Sequence, residues 1–370
     1  MSQPLRRYLE CQADRVEAVL AAHRAPGYVT GGAVGPRLVR FFVDPAPNTR
    51  FSTLRALADD LALALRVPSL CIERGKEGVV LEFPNPEPHP VTLLSLLSDA
   101  GPLPLSTALL GLTEEGKPLL ARLSSPDVAH VLIAGTTGSG KSALLRAIAV
   151  SLVLSHHPAA LRLLCVDIKG RTFRSLGGAP HLLRPPVMEA AEAVEALRSL
   201  VRVMELRDRR GENAPRIVLM IDELADLLFQ ESELAGRQRG VHSQIAALLT
   251  RLVQRGREAG IHVIAATQRP SSAILDGLLR ANFPLRLVGK VASPEDARIA
   301  AGRGGTNAHL LNGRGDFLAV GTGPQSIRFQ VALIEDADAQ QAVVTLPYPR
   351  PALSPPQDGA PAIVTPVSVR

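Results

Sequence analysis

Residues 130–142 read HVLIAGTTGSGKS, and this stretch predicts the fold of the larger part of the chain. Four apolar residues lead into a glycine-rich turn, and Lys141 and Ser142 then open a helical pattern. A strand, glycine loop and helix start in this order are typical of a P-loop, whose backbone N–H groups face a phosphate. A glycine-rich turn that matches by chance is the alternative, and the flanking strand and helix disfavour it. The expected ATP-binding residues are Gly135, Thr136, Thr137, Gly138, Ser139, Gly140, Lys141, Ser142 and Ala143.

Beyond this stretch the chain alternates apolar runs with helical patterns. The runs read LRLLCVD at 161–167, RIVLMID at 216–222 and IHVIAAT at 261–267, with helices predicted at 142–154, 189–207 and 245–258. Continuous apolar runs are typical of strands that are covered on both faces. The pattern therefore predicts an α/β domain built on a mostly parallel, doubly wound sheet.

Polar side chains stand where two of these runs end. Asp222 and Glu223 are costly to bury without a nearby cation, so we expect Asp222 and the Ser142 hydroxyl to hold Mg²⁺. Glu223 would accept the proton of the attacking water, and Lys141 would reach the β- and γ-phosphates. Gln268 follows the next run, where an amide can sense the γ-phosphate. A helix cap at Asp222 and a simple polar turn at Gln268 are the alternatives, and the P-loop upstream favours the catalytic interpretation.

Basic residues are concentrated between residues 251 and 298. Eight Lys and Arg lie in this segment against four Asp and Glu. A solvated helix face accounts for part of this excess. The functional alternatives are an arginine that reaches a neighbouring subunit's γ-phosphate and arginines that contact a DNA backbone.

Composition narrows the classes of function. The net charge of +6 and the pI near 9.6 mildly favour an acidic partner such as nucleic acid or a membrane surface. Tryptophan is absent and aromatic residues make up 3%, which disfavours a stacking platform for single strands. Three widely spaced cysteines fit a reducing cytosol. No apolar run approaches the ~18 residues of a membrane span, so we expect a cytoplasmic protein without direct membrane insertion.

The pattern predicts four parts of the chain. Residues 1–30 form an N-terminal helical segment that ends where glycines begin, and residues 31–100 form a small α+β domain closed by prolines. Residues 101–345 form the P-loop domain. Residues 346–370 form a proline-rich tail, which we expect to be disordered and which is a candidate docking segment for a protein partner.

Five motifs together resemble the motor of the FtsK/SpoIIIE DNA translocases. They read HVLIAGTTGSGKS, VLMIDELADL, REAGIHVIAATQRPS, GLLRANFPLR and SPEDARIAAGRGG…LLNGRGDFLAV. The resemblance covers roughly residues 30 to 335, and the upstream module is similar to the family's α domain. It implies a RecA-like P-loop NTPase that uses ATP and Mg²⁺. It also implies a homo-hexameric ring whose DNA-stimulated ATP hydrolysis moves double-stranded DNA, as in chromosome segregation.

The resemblance implies roles for four arginines. Arg257, in REAGIH, occupies the position of the family's trans-acting arginine, and Arg298 is a second candidate for that role. Arg269 and Arg280 fall on the family's basic loops that contact DNA.

The chain also departs from the family pattern. The family's DPK after the second strand reads Asp167-Ile-Lys169 here, and neither a membrane-spanning region nor a winged-helix domain is found. Septal anchoring and orientation by chromosomal signals are therefore not expected. Two other functions stay open: a secretion- or conjugation-system ATPase that moves protein or nucleoprotein, and a non-enzymatic assembly factor gated by nucleotide. The intact P-loop and carboxylate residues argue against the second.

Overall fold

A computed structural model describes residues 3–75, 78–228, 237–268 and 281–348 of the 370-residue chain. The chain divides into two compact units. The smaller comprises Met1–Val91 with Glu114–Gly116, and the larger comprises Thr92–Thr113 with Lys117–Arg370.

The smaller unit is an antiparallel sheet packed against helices. Its elements are α1 (Gln3–Ala22), β1 (Gly27–Val34), β2 (Leu38–Pro45), α2 (Phe51–Ala56), α3 (Ala58–Leu65), β3 (Cys71–Gly75) and β4 (Gly78–Pro84). The strand order is β1-β2-β4-β3. Leu9, Val16 and Leu20 of α1 share one core with Phe41 and Leu81 of the sheet, so the helix is part of this unit and not a separate segment.

Helix α1 ends at Ala22, before the glycine-rich residues, and those residues form strand β1. A bulge between Val29 and Gly31 shifts its register against β2. A Cβ at Gly32 would lie 2.8 Å from the carbonyl oxygen of Arg40 and 2.9 Å from the Phe41 ring. Glycine here allows close approach of two strands, which a count of strand-forming residues does not reveal.

The larger unit carries the remaining elements. They are α4 (Leu93–Ala100), β5 (Thr107–Thr113), β6 (Pro118–Arg122), β7 (Val131–Ala134), α5 (Lys141–Ser155), β8 (Leu161–Val166), α6 (Ala190–Arg210), β9 (Arg216–Ile221), α7 (Leu224–Leu228), α8 (Arg237–Arg255), β10 (Ile261–Thr267), β11 (Leu285–Val288), α9 (Pro294–Ala301), β12 (Asp316–Val320), β13 (Ser326–Val331) and α10 (Asp336–Val344). The predicted α/β class and P-loop architecture are confirmed.

One large mixed sheet organises this unit. Within the described ranges its order is β6-β5-β13-β12-β11-β7-β10-β9-β8. The strands from β11 to β8 run parallel, and those from β12 to β6 pair antiparallel. Because β7 lies between β10 and β11, the loop after β7 leaves the middle of the sheet, beside the end of β10 and one strand away from the end of β9.

Both faces of the parallel strands are buried. Leu132, Leu164, Leu219 and Val263 share one core cluster with α6, α7 and α8. The alternate residues of the same strands face the other way and are also buried: Val131, Ile133, Leu163, Cys165, Val218, Met220, Ile264 and Ala266. This arrangement explains why the strands read as continuous apolar runs.

Three further predictions concern the boundary between the units, the tail and membrane insertion. The boundary between the units falls at Val91–Thr92, before the predicted limit at residue 100. The tail from residue 349 onward lies outside the described residues. Among the helices that the structure describes, none is long and apolar enough to cross a membrane.

Candidate nucleotide-binding site

The polar ends of three parallel strands meet at one edge of the sheet. The Gln268 backbone N–H donates to Glu223 Oε1 at 3.1 Å, which joins the end of β10 to the end of β9. The Thr137 hydroxyl donates to Gln268 Oε1 at 2.9 Å, and the Ser142 hydroxyl donates to Asp222 Oδ1 at 3.4 Å. The P-loop, both carboxylates and the amide thus form one cluster.

The loop itself has the backbone geometry that a phosphate site needs. Gly138 and Gly140 adopt φ of +80° and +106°, which side chains with a Cβ rarely adopt. The Lys141 ammonium donates to the carbonyl oxygens of Gly135 at 2.7 Å and Thr136 at 2.9 Å. The Ser139 hydroxyl is buried and has no partner within the described part of the chain. A cation folded back on its own loop and an unsatisfied hydroxyl both fit an anionic ligand.

The charges of the site are partly removed from water. Burial lowers the pKa of Lys141, although Glu223 and Asp222 nearby oppose the shift. Burial likewise raises the pKa of Asp222 and of Glu223. Each ion is costly until an opposite charge enters. The Ser142 hydroxyl and the Asp222 carboxylate are the hard oxygen donors that Mg²⁺ prefers, so the residues fit a nucleotide with its metal.

A turn from the antiparallel half of the sheet supports the loop from outside. The Arg314 N–H donates to the Gly138 carbonyl at 3.0 Å, and the Gly315 N–H donates to the Ser139 carbonyl at 2.7 Å. A Cβ at Gly140 would lie 2.7 Å from the Gly315 nitrogen, so the two backbones are in direct contact. We call residues 313–316 the supporting turn.

A buried ion pair holds the supporting turn. The Arg328 guanidinium donates to Asp316 Oδ1 and Oδ2, each at 2.9 Å. Asn312 adds its backbone N–H and its side-chain amide to the same carboxylate at 3.0 and 3.2 Å. The Asp316 and Arg328 side chains are 9% and 15% exposed. A largely buried network of hydrogen bonds therefore holds the supporting turn in place.

Two further cations lie close to the cluster. The Lys290 carbonyl accepts from the Thr136 N–H at 2.8 Å and from its hydroxyl at 3.0 Å. Lys169, in the segment that departs from the family pattern, pairs with Asp226 at 2.9 Å, and this bond raises the pKa of Lys169. Asp167 is buried and accepts from the N–H groups of Thr172 and Phe173, which is a structural role.

The structure places Arg257 and Arg298 near opposite ends of the parallel strands. Arg257 lies just before β10, at the opposite end of that strand from Gln268, and pairs with Glu258 at 3.1 Å. It lines an open cleft of about 830 Å³. Arg298 pairs with Glu295 at 2.6 Å on α9, a helix that shares a core cluster with the last residue of β7. The seven residues of β10, at about 3.3 Å each, separate the end of the strand near Arg257 from the end near Gln268 by roughly 20 Å.

The other arginines of α8 have structural partners. Arg251 pairs with Glu205, and Arg255 pairs with Asp208 at 2.7 Å, across the interface between α8 and α6. The solvated-face interpretation therefore holds for these two residues. Arg269 and Arg280, the predicted DNA contacts, lie outside the described residues.

Sequence reasoning missed the supporting turn and Lys290 as neighbours of the P-loop. Both reach the loop through backbone groups, so their residue types carry no signal of the contact. The left-handed φ of Arg314, +51°, is also invisible in a sequence.

Two family models match the chain. The FtsK/SpoIIIE family matches residues 104–210 and 199–272, and the FtsK alpha domain matches residues 2–85. A DNA translocase FtsK of Bacillus cereus is 34% identical over 364 residues, which cover 90% of this chain and 44% of that protein. Its counterpart from Chlamydia trachomatis is 34% identical, covering 91% and 45%. The chain thus spans less than half the length of these relatives.

Solved structures share the fold. The conjugation coupling protein TcpA of pCW3, solved as a monomer with ATPγS, aligns at a TM-score of 0.60 and 20% identity, covering 90% of this chain and 99% of that one. The cytoplasmic domain of the type VII secretion ATPase EccC of Thermomonospora curvata aligns at 0.58 and 24% identity, covering 72% and 36%. These identities support the architecture alone. With both family models and relatives at 34% identity along nine-tenths of its length, the chain belongs to the FtsK/SpoIIIE family.

Proposed function

We propose that this protein is an ATP-hydrolysing motor that moves double-stranded DNA and acts in the cytoplasm as a ring of six subunits. One observation carries the proposal. Hydrogen bonds join Ser142 to Asp222 and Gln268 to both Thr137 and Glu223, so the P-loop that carries Lys141 lies against both carboxylates and the amide in a chain whose relatives are DNA translocases.

The residues of the cluster divide the work of hydrolysis. The P-loop N–H groups and Lys141 would bind the phosphates, and Ser142 and Asp222 would hold Mg²⁺. The bound nucleotide with its metal supplies the phosphoanhydride bond to be cleaved. Glu223 accepts the proton of the attacking water, and its position is held by the Gln268 N–H. The Gln268 side chain lies beside Thr137, where it can respond to the terminal phosphate.

The position of Arg257 supports a ring. Roughly 20 Å of strand separates it from the P-loop edge of its own subunit, so it would reach only a neighbour's nucleotide. Its pair with Glu258 is exposed, and such pairs exchange partners at little cost. Arg298, at the other edge, remains the second candidate for the trans-acting residue.

The decisive test measures ATP hydrolysis with and without duplex DNA, together with displacement of a third strand from a triplex. Lys141→Ala should lose nucleotide binding. Glu223→Gln should keep binding and lose turnover, because the amide cannot accept a proton. Stimulation by duplex and triplex displacement are the expected results. Hydrolysis that ignores DNA and displaces nothing would instead favour the motor of a secretion or conjugation system.

The subunit arrangement has its own test. Arg257→Ala subunits are mixed with wild type at increasing fractions, and the DNA-stimulated rate is measured. A trans-acting arginine predicts a loss greater than the mutant share, because one altered interface disables a neighbouring site. A rate that declines in proportion to the mutant fraction would mean that Arg257 acts in its own subunit or not at all.

A further inference from the structure

Two cations beside the P-loop have no side-chain partner. The guanidinium of Arg314 and the ammonium of Lys290 are exposed, and neither makes a hydrogen bond or ion pair within the residues that the structure describes. This differs from Arg251, Arg255 and Arg298, each of which is paired with an acid. Unpaired cations fixed beside a phosphate loop are available for an anion.

Backbone hydrogen bonds hold both residues against the loop. Arg314 is joined to Gly138 through its N–H, and Lys290 is joined to Thr136 through its carbonyl. A Cβ at Gly313 would lie 3.8 Å from Cδ of Lys290 and 3.6 Å from the Gly138 carbonyl oxygen. The supporting turn, Lys290 and the middle of the loop therefore meet at one place.

The conformation of Arg314 is unfavourable for an arginine. Its φ of +51° lies between +75° at Gly313 and +92° at Gly315. Glycine adopts this region without the clash that a Cβ causes. The turn would form more easily with glycine at this position, so its own folding does not account for the arginine.

We propose that Arg314, with Lys290 beside it, is a second cationic contact for the phosphates of a bound nucleoside di- or triphosphate, acting from the outer side of the P-loop. The proposal rests on the nucleotide binding proposed above. Lys141 is the one cation in residues 135–143. A triphosphate carries more negative charge than this lysine and one divalent metal neutralise, and arginine suits phosphate through its several N–H donors.

The test exploits the opposite effects of one substitution on folding and on binding. Arg314→Gly removes the charge and the backbone strain together. Affinities for ADP and for ATPγS are measured by calorimetry on the full chain, and unfolding is followed by temperature. We expect affinity for both nucleotides to fall about tenfold, the loss of one charge-assisted hydrogen bond, with an unfolding midpoint equal to or above that of wild type.

The chain offers a matched control. Arg66 is also exposed with φ +55°, but it ends α3 in the smaller unit. Arg66→Gly should have a similar effect on unfolding and leave both affinities unchanged. Arg314→Lys retains a charge and should lose less affinity than Arg314→Gly, and Lys290→Ala should also weaken both nucleotides.

The outcomes separate this inference from the function beneath it. Equal affinities for wild type and Arg314→Gly would overturn the inference. A lower unfolding midpoint for Arg314→Gly would also overturn it, because the arginine would then serve the fold. If wild type itself bound neither ADP nor ATPγS, the proposed function would fail instead.

Discussion

Replacing Asp316 by alanine should test how far the supporting turn depends on its buried ion pair. The carboxylate accepts four hydrogen bonds, two of them from the Arg328 guanidinium, whose side chain is only 15% exposed. Removing one partner of a buried pair costs about 3–5 kcal/mol, and the remaining exposure of Arg328 favours the lower end. For a unit of this size about 3 kcal/mol corresponds to a midpoint roughly 6–12 °C lower.

The assay follows urea and thermal unfolding of Asp316→Ala beside a double variant, Asp316→Leu with Arg328→Met. The double variant leaves no unpaired charge, so its stability should return to within about 1 kcal/mol of wild type. Affinity for ADP should fall in the single variant because the turn no longer supports Gly138 and Ser139. A midpoint for Asp316→Ala within about 2 °C of wild type would refute this reasoning, since a buried guanidinium cannot lose its acid without cost.

Three further predictions concern stability. Arg207 is buried and donates to two backbone carbonyls, so Arg207→Met should lower the free energy of unfolding by about 2 kcal/mol, measured in urea; an unchanged value would contradict that role. The exposed Arg251–Glu205 pair should contribute less than about 1 kcal/mol in a double-mutant cycle, and a larger coupling would show it to be part of a network. Burial lowers the pKa of His130 to about 3 and that of His262 to about 4, from 6.5 when unfolded. The contribution of the two neutral histidines to the free energy of unfolding should therefore be fully present above pH 6.5. It should fall towards pH 4 by roughly 1 kcal/mol per pH unit for each histidine. His262→Asn should flatten this slope when unfolding is measured from pH 7 to 4.

The parallel half of the large sheet was predictable because its strands are apolar on both faces. The apolar runs before Asp222 and Gln268 predict two strands and the edge of the sheet where their polar ends lie. Parallel pairing then brings these ends together without further information from the sequence. The cluster at the P-loop follows from local patterns and this one rule of topology.

The antiparallel half of the large sheet was harder to predict from the sequence. Strand β11 has four residues, and the turn before β12 takes its shape from three consecutive left-handed residues. Neither feature has a period that a sequence can display. The ion pairs between α6 and α8 were hidden for a similar reason: they join helices from distant parts of the chain, so Arg251 and Arg255 look like unpaired charges until the helices are seen together.

The supporting turn also matters while the chain is being made. Synthesis at ordinary rates delivers residue 315 on the order of ten seconds after residue 138. During that interval a nascent chain contains the whole phosphate-binding motif without the supporting turn, whose N–H groups donate to the loop's carbonyls. We expect such an unfinished chain to bind nucleotide poorly, so tight binding reports that the C-terminal strands have docked. Interrupted or clipped chains that end before residue 313 would share this weak binding.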